Sequence, residues 1–144
     1  MSDAATAGGQ AITTVVDPIN VVAQRQLDFG QFEAGSNRSV TVLPNDLVQD
    51  SGKRSARFAI RGANDRKYSI ALQAQVTARG DQSGTALQVN NITVKSLNSG
   101  ATDWTGNLDA IGEDSVFVGG TIQTSEHTPA DRYRAEITLH VTYN

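Results

Sequence analysis

The chain has 144 residues, 38% of them hydrophobic, and no cysteine, which fits one domain with a single core and no disulfide or thiolate support. Its formal net charge of −3, with basic residues scattered among acidic ones, excludes the basic stripe of a nucleic-acid binder. No run of about 18 apolar residues exists, so no membrane span is expected.

The first ten residues, Met1 to Gln10, carry neither a basic region nor an apolar stretch, so they do not read as a secretory leader. The chain then either stays in the cytoplasm or is a mature form with an added start residue. Ala11-Ile12-Thr13-Thr14-Val15-Val16 follows, uncharged and β-prone, and stops at Asp17-Pro18. It does not alternate cleanly, so it fits a segment buried on both faces or an exposed edge. Residues 1–16 are therefore predicted to be a flexible extension, and residues 17–144 the domain.

Val40-Thr41-Val42-Leu43 reads as a short strand halted by Pro44-Asn45-Asp46. Phe58 and Ile60, then Tyr68, Ile70 and Leu72, flank the turn-rich Gly62-Ala63-Asn64-Asp65, a pattern that predicts a hairpin. A turn at Arg79–Gly84 precedes Leu87, Val89 and the β-branched Ile92-Thr93-Val94. The polar stretch from Asn98 to Asp114 predicts a loop or broken strand pinned by Trp104, Leu108 and Ile111. Val116-Phe117-Val118 then runs into Gly119-Gly120 and Thr121-Ile122. Last, Tyr133, Ala135, Ile137, Leu139, Val141 and Tyr143 alternate with polar residues, predicting one long antiparallel strand. No window keeps helical spacing for three turns. The expectation is an all-β antiparallel sandwich of about seven or eight strands.

Catalytic apparatus is hard to assemble from these residues. Two histidines are present: His140 on the polar face of the last strand and His127 in a turn beside Glu126 and Asp131. Neither has a partner at zinc spacing, and no serine sits in a nucleophile elbow. Glu113 and Asp114 read as a solvated acidic pair rather than a glycosidase dyad, whose carboxyls come from separate elements. Asp103, Asn107 and Asp109 lack the glycine centre and closing glutamate of a calcium loop. No catalytic residue, cofactor or metal is expected, and the chain reads as non-enzymatic. Trp104 is a candidate ligand contact, since a partly exposed indole can stack on a sugar. Arg79-Gly80-Asp81 reads as a turn.

Three segments together resemble a known family. Leu27-Asp28-Phe29-Gly30 with Gly35, then Phe58-Ala59-Ile60-Arg61-Gly62 with Tyr68-Ser69-Ile70-Ala71-Leu72, then Val118-Gly119-Gly120-Thr121-Ile122 with Tyr133 to Tyr143, occur in order. Pro18-Ile19 precedes them. This series resembles a family of secreted bacterial domains of unknown function, similar to spore coat protein U and to archaic chaperone–usher pilins. The resemblance implies an immunoglobulin-like sandwich left incomplete and completed by a donor strand from another copy. It implies a structural subunit of an extracellular or cell-surface fibre or pilus, a role in adhesion, copies of itself as head-to-tail partners, and a periplasmic chaperone and usher. In that reading Ala11–Val16 is the donor, and Tyr133, Ala135, Ile137, Leu139, Val141 and Tyr143 line the acceptor groove. The final strand runs to Asn144, so a following strand is expected from a neighbour by β-augmentation. Burying about three donor side chains at ~1.5–3 kcal/mol each would suffice to hold a fibre. The alternative is a self-complete monomeric binding module for a carbohydrate or protein ligand, using Trp104.

Overall fold

A computed structural model describes residues 17–35 and 37–144. It contains twelve strands: β1 Asn20–Arg25, β2 Leu27–Phe32, β3 Arg38–Val42, β4 Ala56–Arg61, β5 Lys67–Leu72, β6 Thr77–Gly80, β7 Ala86–Gln88, β8 Asn90–Ser96, β9 Thr105–Asn107, β10 Glu113–Thr124, β11 Asp131–Ala135 and β12 Leu139–Tyr143. Every ladder between them is antiparallel. A single 3-10 turn at Asp50–Gly52 is the only helical element among the described residues. The all-β sandwich expected from the sequence is present, with more strands than the seven or eight expected.

One layer is organised by β10. Its first half pairs β4 and its second half β3 along one edge, while β8 pairs the opposite edge; β1 lies outside β4. The handover from β4 to β3 falls at Gly119, where an added Cβ would overlap the Val42 carbonyl. The other layer is two ladders laid end to end, β2-β11-β6-β7 and β12-β5-β9. Leu27, Phe29, Tyr68, Ile70, Tyr133 and Ala135 from this layer meet Val42, Phe58, Ile60, Val116, Val118 and Ile122 from the other, and together they form the core.

Two expectations are corrected. The predicted hairpin across residues 62–65 is instead a crossing between layers: β4 pairs β1 and β10, whereas β5 pairs β12 and β9. The turn is tied to a neighbouring loop, through Gly62 N–H to the Gly112 carbonyl and Asp65 N–H to the Asp109 carbonyl, both at 2.9 Å. Phe58 and Ile60 therefore face Tyr68 and Ile70 across the core instead of lying beside them. The long strand over Tyr133–Tyr143 is broken at residues 136–138. Gln73 stitches that break with its side chain, accepting from the Thr138 N–H at 2.9 Å and donating to the Glu136 carbonyl at 3.4 Å. Inward and outward residues keep alternating through the break, so period two alone could not reveal it.

Candidate functional site

An apolar-lined hollow arises because β1 and β2 are nearly continuous yet belong to different layers. β2 pairs β11, from Asp131 opposite Phe32 to Ala135 opposite Leu27. At Gln26 the chain crosses over, and β1 pairs β4. β11 is thereby covered on both edges, by β2 and β6, while among the described residues β12 is paired only on its β5 side. The outer edges of β12 and β1 face each other across a cleft of about 480 Å³. Val21, Ala23, Phe58, Ile137 and Leu139 supply its apolar lining, and Gln24, Arg25, Gln26, Glu136 and Thr138 its polar part.

One end of the cleft is closed. The Tyr143 hydroxyl donates to the Asp17 carbonyl at 2.5 Å and accepts from the Ala63 N–H at 2.7 Å. The Arg66 guanidinium lies 4.6 Å from the Tyr143 ring centroid. A Cβ on Gly62 would overlap the Tyr143 hydroxyl, so a larger residue there would have to displace that side chain. At the other end, Arg25, Arg54 and Arg57 converge on Asp46 at 3.2, 3.6 and 3.2 Å. Burial pushes the Asp46 carboxyl up, but the Arg25 hydrogen bond and the charges of Arg57, Arg25 and Arg54 outweigh it, so its pKa lies below the ordinary carboxylate value. Beside this cluster Arg132 forks onto Asp28, and that hydrogen bond raises the pKa of Arg132 further.

The residues expected to form an acceptor groove divide between these environments. Tyr133 and Ala135 lie in β11, fully buried and flanked by β2 and β6, so the open edge is shorter than the predicted Tyr133–Tyr143. Ile137 and Leu139 line the cleft, Val141 is half-buried beyond them, and Tyr143 closes the end. The expected donor residues Ala11, Ile12, Thr13, Thr14, Val15 and Val16 lie outside the described residues. Trp104 is remote from the cleft, just before β9 on the opposite edge of β5, half-buried against the core with φ of 66°.

The remaining candidates are engaged locally. Asp103 accepts from the Thr105 hydroxyl, and Asp109 caps its own turn by accepting from the Ile111 and Glu113 N–H groups. Among the described residues no group of three or more His, Cys, Asp or Glu side chains converges. Asp81 pairs with Arg134 at 3.0 Å, which occupies the carboxylate of the Arg-Gly-Asp turn. His127 sits 3.4 Å from Glu126, and His140 faces solvent on β12. Of the three expected loop anchors, Leu108 is fully buried and Trp104 half-buried, but Ile111 is 72% exposed and pins nothing. Among the described residues no helix is long and apolar enough to cross a membrane.

Two features escaped sequence reasoning. The arginine cluster around Asp46 gathers residues up to 32 positions apart, and no linear pattern announces it. Asp114 is buried where a solvated acidic pair was expected. It accepts from the Tyr68 hydroxyl at 2.5 Å, the Ser96 hydroxyl at 2.6 Å and the Asn98 N–H at 3.0 Å. Burial, followed by the Asp114 hydrogen bond and charge, pushes the Tyr68 hydroxyl well above its ordinary pKa.

A sequence profile of a domain of unknown function, DUF4402, matches residues 19–143. The chain belongs to that family. The matched span runs from just before β1 to the last residue of β12, so both edges of the cleft lie within the DUF4402 domain. No curated protein and no solved structure is significantly similar to it.

Proposed function

We propose that this DUF4402 domain is a non-enzymatic structural subunit of an extracellular or cell-surface fibre, in which Ala11–Val16 of one copy enters the cleft beside β12 of the next. The observation that carries this reading is the outer edge of β12, unpaired among the described residues, with an apolar cleft alongside it. An edge of free N–H and C=O groups over apolar side chains is a template for strand addition. The uncharged, β-prone Ala11–Val16 has the composition to enter it. Donor and acceptor surfaces differ, so the contact is heterologous and propagates as a filament. A subunit awaiting its donor would expose the cleft to water, which fits escort by a periplasmic chaperone and usher. The sheet-switching β1–β2 run, and the Tyr133 hydroxyl bonding back to the Pro129 carbonyl at 3.0 Å, support an immunoglobulin-like relationship.

Three forms test the reading: the full chain, a form lacking residues 1–16, and a form carrying that segment behind Asn144 through a Gly-rich turn. The full chain should form chains in sedimentation, the truncated form should be unstable or aggregation-prone, and the moved form should be a stable monomer. A monomeric full chain, with the truncated form melting within about 1 °C of it, would replace this reading with a binding module. That second reading has one observation in its favour, the left-handed backbone at Trp104, which is uncommon for so bulky a residue.

A further inference from the structure

The inner end of the cleft opens into a second hollow of about 430 Å³, which shares Arg25 and Gln26 with the cleft and adds Arg54, Arg132 and Arg134. Four arginines line this hollow with one acidic residue, Asp28. Asp28 is already committed, since Arg132 forks onto it and the Gly30 N–H donates to it at 2.8 Å. Asp46 and Asp81, the partners of Arg25, Arg54 and Arg134, do not line the hollow. The side chains of Arg54, Arg132 and Arg134 are 37%, 48% and 45% exposed, so they can be reached from outside. Guanidinium forks match the geometry of a carboxylate.

The residue that follows the donor segment is Asp17. In a copy whose segment runs antiparallel to β12 with Val16 set opposite Ile137, the next residue falls beside Glu136 and Gln26 at the mouth of the hollow, where the four arginines outnumber the carboxylates of Glu136 and Asp28. The same chain cannot supply this carboxylate to itself. Its Asp17 is tied by the backbone carbonyl to Tyr143 at the far end of the cleft. The eight-residue step from Asp17 to Arg25 spans ~26 Å of extended chain. Among the described residues the Asp17 carboxylate has no hydrogen bond or ion pair of its own. Insertion parallel to β12 would instead bring the incoming Asp17 to the Tyr143 end, where one guanidinium, Arg66 on the Tyr143 ring, stands beside Asp65 and Asp109 rather than four arginines together.

The geometry points to an intermolecular clamp: the Asp17 carboxylate of the incoming copy docks in the hollow formed by Arg25, Arg54, Arg132 and Arg134, fixing the direction of the inserted strand. The clamp rests on the reading of the cleft as a strand acceptor. Sedimentation velocity of full-length variants at ~50 and ~500 mM salt separates the two claims. Asp17→Asn should weaken association about tenfold at low salt, with the difference fading at high salt. In an Arg54→Gln, Arg134→Gln background the same substitution should have no further effect. Ile12→Lys with Val16→Lys should abolish association at either salt. If that pair abolishes association while Asp17→Asn leaves it unchanged at low salt, the clamp is wrong and the acceptor reading stands. If the Ile12→Lys, Val16→Lys chain associates as the parent does, both fall.

Discussion

Asp114 is held by hydroxyl and N–H donors from three different stretches: β5 through Tyr68, β8 through Ser96, and the turn at Asn98. Asp114→Ala leaves two buried hydroxyls without their acceptor, each worth ~1–3 kcal/mol, so a loss of about 3 kcal/mol is expected in urea denaturation. Tyr68→Phe removes one donor and leaves the others in place, and should cost about 1 kcal/mol. Equal costs would show that Asp114 does not organise the network. The inward position of Asp114 was legible in the sequence: period two carried backward from Val118 and Val116 places it on the core face. Its proximity to Glu113 in a polar stretch masked that parity. Asp131 makes a different residue-scale statement. Backbone N–H donation from Ser83, reinforced by the Ser83 hydroxyl and the Gln82 and Arg132 N–H groups against the cost of burial, lowers its pKa from 3.8 to about 2. A value depressed in the folded state stabilises the fold above about pH 4, and that contribution is lost as the pH falls toward 2. Asp131→Asn should flatten the pH dependence of stability in that window, as measured by denaturant unfolding at stepped pH. An unaltered slope would mean that other carboxylates govern acid sensitivity.

At the scale of elements, alternation was a reliable guide to which face of a strand is buried and a poor guide to its partner. Phe58-Ala59-Ile60 and Tyr68-Ser69-Ile70 present the same pattern whether they lie side by side in one sheet or face each other across the core. The intervening turn decides, and its bonds go to Asp109 and Gly112, residues far off in the chain. The same limitation explains one of the extra strands, because Glu136–Thr138 changes partners without changing parity. The Gly119-Gly120 pair could be recognised as a motif, but its cause is packing: β10 exchanges β4 for β3 where the Val42 carbonyl occupies the space of a Gly119 side chain. Gly119→Ala must displace backbone rather than a flexible side chain, so a loss of about 3 kcal/mol is expected, at the upper end of overpacking costs. Gly100→Ala sits in open space with φ of 68°, and only the left-handed backbone penalises it, by about 1 kcal/mol. Thermal or urea unfolding of the two variants checks the order; a reversed order would refute the close approach at Gly119.

For the whole molecule, the cleft is a consequence of connectivity rather than of any one residue. β1 leaves the layer of β2 at Gln26, and among the described residues the edge of β12 that it would otherwise cover stays open. Neither the crossing nor the arginines at its inner end could be read from linear order, although the β-prone donor candidate and the amphipathic final strand could. If one copy donates and the next accepts, each chain carries both functions on separate surfaces. The Ile12→Lys, Val16→Lys variant then keeps an acceptor cleft while losing its donor, and it should cap a growing chain at one end. Mixed with the parent chain at about one part in ten, it should limit the mean assembly to about ten subunits, with further shortening as its fraction rises. Two copies that exchange segments reciprocally would form a closed dimer instead, because the interface is then satisfied on both sides. The variant would be left out of such dimers and would not shorten anything. Sedimentation of the mixtures over a series of ratios distinguishes the two. A size distribution that shrinks in proportion to the capping fraction supports open head-to-tail assembly, and one that stays dimeric at every ratio overturns it.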